Sequence, residues 1–311
     1  MESELYKNRS LGRCLSDAYD LYRTNFKTII RRLWLPALVL SLLTAAVYLL
    51  SANVATSLTS ASVSVGGCVA CAVLGLLSLC AYVWFFTIVI SLLNGKSVKA
   101  NLPRMARLAL TFVGVAIVMC VFIALISIAT AKAKTNAVPL YAGASGGIIA
   151  CIVVCVVMLP LCYSVMKYCV ETDEKVMDIF KRHYLAGWRQ WGFLFIIALL
   201  VGIIVMVIDT LVGMPNNILS LASGMRHISM MEGDSPVMPS GFGLLAFLTS
   251  AVCTFVMVFV RPWVAFVFYY AYGCIDEKEK ARVALKKVEA SQGQSEIARK
   301  ESSMDDFEEV K

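Results

Sequence analysis

Gly67–Leu93, GCVACAVLGLLSLCAYVWFFTIVISLL, is a run of 27 residues without a single charge. A bilayer core about 30 Å thick is crossed by a helix of about 20 apolar residues, so this stretch spans it with length to spare. Five similar runs flank it: Leu33–Leu50, Leu108–Ala131, Val138–Met166, Gly192–Ile208 and Gly241–Tyr272. Only the last contains a charge, Arg261. The reading is an all-α, polytopic membrane protein with six transmembrane helices.

Composition agrees. Hydrophobic residues make up 59% of the 311-residue chain and charged residues 16%, with a mean hydropathy of +0.76. A soluble domain carries about a quarter charged residues. No small-residue cleavage site follows the first run, so Leu33–Leu50 is expected to stay as a span rather than leave as a signal peptide.

Basic residues set the expected orientation, because Lys and Arg accumulate on the cytoplasmic side. Of the 28 Lys and Arg residues, 24 precede the first run, follow the second or fourth, or lie in the C-terminal tail. The opposite loops hold Lys132, Lys134 and Arg226. Both termini are therefore expected in the cytoplasm, with the chain multi-pass in the cytoplasmic (inner) membrane. The formal charge of +7 is spread over four juxtamembrane segments. That suits membrane lipids, with anionic headgroups met at about 1 kcal/mol per basic residue, and excludes nucleic acid as the partner.

Ser10–Ile30 has helical amphipathic spacing. Leu11, Leu15, Ala18, Tyr19, Tyr22, Phe26, Ile29 and Ile30 share one side, with Arg13, Asp17, Asp20, Arg23 and Lys27 opposite. Ser10 suits the N-cap, and the helix would lie in the interface and lead into the first span. The pattern returns before the fifth span, where Tyr22-x-x-Asn25-Phe26-Lys27 aligns with Tyr184-x-x-Gly187-Trp188-Arg189. A shorter version, Val98–Ala109, precedes the third. Pro160 and Pro262 each stand about ten residues before the cytoplasmic end of a span. The chain thus reads as three parallel hairpin units, about 10–94, 97–170 and 174–273, each preceded by a cytoplasmic interfacial amphipathic helix. Residues 1–273 form one transmembrane domain. Residues 274–311 form a polar tail, helical at first, with Asp276–Lys280 at i,i+4, and disordered beyond Ser291.

The Asp17–Lys27 segment, DAYDLYRTNFK, leading straight into an apolar span, resembles a broad group of uncharacterised bacterial six-span proteins. These are similar to the membrane domain attached to some glycerophosphodiester phosphodiesterases. The likeness covers the six spans. No catalytic domain is expected within these residues, so the resemblance implies a membrane domain and carries no phosphodiesterase activity with it.

Arg261 is the sharpest candidate. Eleven residues from Tyr272, it sits about 16 Å into the membrane, where a charge costs at least about 2.5 kcal/mol and marks a functional position by default. The competing reading is structural, with Arg261 snorkelling or bonding carbonyls freed at Pro262. Asp209, at the end of the fifth span, is its candidate partner for binding an anion or lipid phosphate. Tyr22, Phe26, Lys27, Tyr184, Trp188 and Arg189 are candidate interfacial lipid contacts. Gly143-x-x-x-Gly147, with Gly146, opens the fourth span with a face that permits close helix contact. The outer loop Thr210–Ser240 would hold a surface helix at Asn217–Met231. Its methionines and His227 lack the tight spacing of a copper site, and Cys68/Cys71 lies at the mouth of an apolar helix, so no metal or other cofactor is expected.

Catalytic signatures are missing: His183 and His227 fall on opposite sides, and no GxSxG, HExxH or phosphate-binding loop occurs. The expectation is a non-enzymatic membrane protein that organises, scaffolds or handles lipid. The alternative is a transporter or channel for a small or anionic solute, with Arg261 in the pathway. A polar cavity around Arg261 would favour transport, and a dry, packed bundle the first class.

Overall fold

The structure, a computed structural model, describes residues 5–59, 65–132, 156–171, 176–177, 183–231 and 239–308. Among these residues the chain is helical and contains no strand. In chain order the helices are α1 (Leu11–Thr24), α2 (Phe26–Thr59), α3 (Val65–Asn94), α4 (Val98–Lys132), α5 (Val156–Val170), α6 (Tyr184–Arg189), α7 (Trp191–Met231), α8 (Phe242–Val258) and α9 (Val260–Glu308). Four segments are long and apolar enough to cross a membrane: Phe26–Ser51, Val65–Asn94, Trp191–Met225 and Phe242–Glu289. Along α7 the exposed residues include Leu199, Ile203, Met206, Val207 and Leu211. Water does not tolerate so continuous an apolar surface, whereas lipid tails do.

Local chemistry sets several helix ends. α1 starts just after Ser10 and stops at Asn25, whose side-chain amide donates to the Leu21 carbonyl at 2.9 Å. The continuous amphipathic helix expected to Ile30 is therefore divided, and Phe26–Ile30 belongs to α2. Gly95 closes α3 at φ 67, a conformation that costs glycine little, and α4 begins three residues later.

The core comes from helical stripes. Ile29, Leu33, Ala37 and Leu40 of α2, at i,i+4 and i,i+3 spacing, pack with Phe85 and Val89 of α3 and Ile197 and Val201 of α7. Val258, Phe266 and Val267 complete this cluster from α8 and α9, while Cys14 and Ala18 seal it from α1. A second cluster joins Tyr163 and Met166 of α5, Leu194 of α7, and Tyr272 and Ile275 of α9. A third links Ile90, Leu108, Leu161, Tyr168 and Cys169 across α3, α4 and α5.

Two expected boundaries change. α7 runs unbroken through Asp209 and Pro215 to Met231, so Asn217–Met231 is not a separate surface helix. α9 continues past Ser291 to Glu308, where low apolar content had predicted disorder. The chain is closely packed around Gly273. Gly273 lies so close to the segment before α1 that a Cβ there would meet the Leu5 carbonyl oxygen at 2.5 Å, and Asp276 is only 3% exposed. The first turns beyond Tyr272 are part of the body. The glycine face at Gly143, Gly146 and Gly147 lies outside the described residues, as does the fourth expected span before Val156.

Candidate functional site

The site forms where the helix Phe242–Glu308 is interrupted. Proline 262 has no N–H to bond the carbonyl four residues back, and its ring crowds that turn. α8 accordingly ends at Val258, the Phe259 amide donates to the Val256 carbonyl at 3.2 Å, and α9 restarts at Val260. The interruption falls within the Val258–Pro262 stretch where such a proline places it. The Phe259 carbonyl accepts a hydrogen bond from the Tyr22 hydroxyl of α1 at 3.0 Å.

Arg261, just past the interruption, lines a cavity of about 520 Å³. Its guanidinium lies 5.0 Å from the centre of the Tyr82 ring on α3, and Tyr82 stacks on Phe86. Phe86 and Ile90 of α3, Met105 and Leu108 of α4, and Cys162, Val165, Met166 and Cys169 of α5 line the cavity. Val205 and Asp209 of α7, Met257 of α8, and Val260, Val264, Ala265 and Phe268 of α9 complete the lining. Arg261 and Asp209 are the two ionisable carboxylate or guanidinium groups in an otherwise apolar wall. The volume is within the roughly 300–1,000 Å³ typical of ligand pockets.

Both expected site residues thus meet at one cavity, but they do not meet each other. Among the described residues, neither side chain has an ion pair or hydrogen bond. The cavity fits neither expected extreme: it is neither a polar pathway nor a dry, filled bundle.

The interfacial candidates divide in two. Phe26 and Trp188 face outward, at 42% and 45% exposure, and Lys27 is exposed. Tyr22 and Tyr184 turn inward to backbone carbonyls; the Tyr184 hydroxyl donates to Val157 of α5 at 3.1 Å. Arg189 forms an ion pair with Glu279 of α9 at 2.7 Å.

A polar cluster at the end of α5 escaped sequence reading. Asp276 accepts from Lys167 at 3.2 Å and Tyr163 at 3.3 Å, and Lys280 lies 2.7 Å from its other oxygen. Nearby, the buried Tyr272 donates its hydroxyl to Glu171 at 2.6 Å. Arg9 joins the same end, bonding Asp17 at 2.8 Å and the Leu5 carbonyl at 2.7 Å. The i,i+4 pair Asp276–Lys280 was the sole local signal for it. Within α1, burial, reinforced by nearby Cys274, pushes the Cys14 thiol up to about 11, so it remains protonated and unreactive at neutral pH.

Among the described residues no group of three or more metal-ligating side chains converges. The chain matches no protein-family model, no curated protein and no solved structure.

Proposed function

We propose that this is a non-enzymatic, lipid-handling membrane protein whose central cavity takes an amphiphile, with a phosphate on Arg261 and apolar chains against the surrounding wall. The observation that carries the reading is a cavity of about 520 Å³ in which Arg261 is the one basic residue. A guanidinium binds phosphate through paired donors, and the apolar lining suits hydrocarbon better than a hydrated ion. Membrane lipids are then its partners, in the cavity and, through the basic juxtamembrane segments, as anionic headgroups at the cytoplasmic face.

The proposal includes a topology of six spans in three parallel hairpin units, with both termini cytoplasmic in the inner membrane, supported by the distribution of 24 of 28 basic residues. Reporter fusions after Ser57, Thr135 and Ser235 should read outside, and those after Lys99, Glu174 and Gln292 inside. One reversed reporter at Lys99 or Glu174 breaks the three-hairpin scheme.

The interruption at Phe259 favours one second reading, since discontinuous helices often line transport sites. In it the same cavity is a way-station for a small anionic solute. Lipid retention by the purified full-length protein separates the two. Native mass spectrometry should find phospholipid bound to the wild type and to Arg261→Lys, and little on Arg261→Leu. Equal retention by the leucine variant defeats the lipid reading, whereas displacement of lipid by millimolar inorganic phosphate would favour the solute.

A further inference from the structure

Arg261 and Asp209 line the same cavity. Opposite charges that meet attract by about 4 kcal/mol at 4 Å for an intermediate effective dielectric. Here they remain apart, on different helices of the same wall. Arg261 is partly buried and Asp209 exposed, and neither has a protein counter-charge among the described residues, so both are open to charged groups of a ligand.

A purely anionic ligand satisfies only half of this arrangement, since it would neutralise Arg261 and leave its own charge facing the Asp209 carboxylate. A ligand with a phosphate and an ammonium a few ångströms apart satisfies both. We infer that the cavity selects a zwitterionic amphiphile, its phosphate on Arg261, its ammonium on Asp209 and its hydrocarbon against Val165, Val205, Val264 and Phe268. This rests on the lipid-binding reading above and adds the headgroup class. Asp209 becomes the specificity-determining residue and Arg261 the anchor.

The test uses full-length protein in micelles doped with equal amounts of phosphatidylethanolamine and phosphatidylglycerol of identical chains, read by native mass spectrometry. The wild type should retain phosphatidylethanolamine over phosphatidylglycerol by about tenfold, the worth of one charge-assisted hydrogen bond. Asp209→Asn should raise phosphatidylglycerol retention and bring the ratio to about one. Arg261→Leu should lose both lipids. A wild-type ratio near one overturns the inference without any variant, and so does an unchanged ratio in a folded Asp209→Asn protein; in both cases Arg261-dependent retention would leave the lipid-binding reading standing. Retention of both lipids by Arg261→Leu overturns the two together. Chain-free glycerophosphoethanolamine at matched concentration should displace nothing; displacement would make the ligand a soluble zwitterion and overturn the amphiphile.

Discussion

Pro262 and Pro160 occupy related settings, but only one stands beside a charge. In both, a tyrosine hydroxyl donates to the carbonyl three residues before the proline: Tyr22 to Phe259, and Tyr184 to Val157. The tyrosines themselves come from the aligned α1 and α6 segments. Near Pro160 the Trp191 indole also donates to the Val156 carbonyl at 3.3 Å, the group that a proline nitrogen cannot reach. The residue preceding the proline is Leu159 in one case and Arg261 in the other. A proline turn of this kind is thus served by a tyrosine and tolerates leucine. Among the described residues Arg261 makes no hydrogen bond, so it does not cap the Val258 carbonyl that Pro262 leaves free; its surroundings are the Tyr82 ring and the cavity.

The largest expected effect separates how tightly the two segments dock. A Cβ on Gly187 would lie 2.6 Å from the Pro160 carbonyl oxygen and 3.1 Å from its Cα, both backbone atoms that cannot step aside. Its counterpart in the alignment, Asn25, already carries a side chain and uses it to cap α1. Gly187→Ala should therefore destabilise by about 1–3 kcal/mol, the cost of overpacking, read from thermal unfolding in detergent. Gly192→Ala, with open space around it, should be neutral or stabilise by up to about 1 kcal/mol. Equal effects at the two glycines would mean that α6 is not clamped onto α5.

How much of this was legible follows from what each signal measures. Hydropathy reports contact with lipid or core, so the runs that became α2, α3, α7 and α8–α9 stood out. A proline reports its own missing donor, so the interruption near Phe259 was readable as well. Helix ends outside the apolar runs were not. α7 continues through Asp209 and Pro215 because backbone hydrogen bonding continues, whatever the side chains meet. Long-range polar pairs leave no periodic trace either: Tyr163 and Asp276 are 113 residues apart, and Tyr6 and Tyr272 are 266 apart. Alignment of Tyr22 with Tyr184 could suggest related roles, but not that both hydroxyls seek a carbonyl beside a proline.

The tyrosines provide the next comparison. Tyr22→Phe removes the single side-chain bond to the Phe259 carbonyl and should cost about 1 kcal/mol, a typical net hydrogen bond. Tyr184→Phe should cost less, because its surroundings are more exposed and Trp191 still serves the preceding carbonyl. A larger loss for Tyr184→Phe would reverse the ranking and show that the Pro160 region depends on one donor after all. Smaller still is the difference between Arg189 and Lys27, which align. Arg189→Gln breaks a partly exposed ion pair with Glu279 and should cost a few tenths of a kcal/mol. Lys27→Gln should cost nothing measurable, and a double-mutant cycle with Glu279→Gln isolates the pair.

The most informative of the small expected changes in stability is at Arg261. Arg261→Leu converts the Pro262 setting into that of Pro160, where leucine already precedes the proline. The substitution removes the 5.0 Å contact with the Tyr82 ring, worth up to about 2 kcal/mol when desolvated. It also removes the cost of holding a charge in an apolar wall, at least about 2.5 kcal/mol at the centre of a span. The two nearly cancel, so the thermal midpoint should stay within a degree or two of wild type, or rise slightly, as when buried charges give way to apolar residues of similar size. A fall of several degrees, with Arg261→Lys restoring the midpoint, would make the guanidinium a staple and the resemblance between the two prolines superficial. An unchanged midpoint accompanied by loss of bound lipid separates the two roles: tyrosines hold the proline turns, and Arg261 holds the ligand.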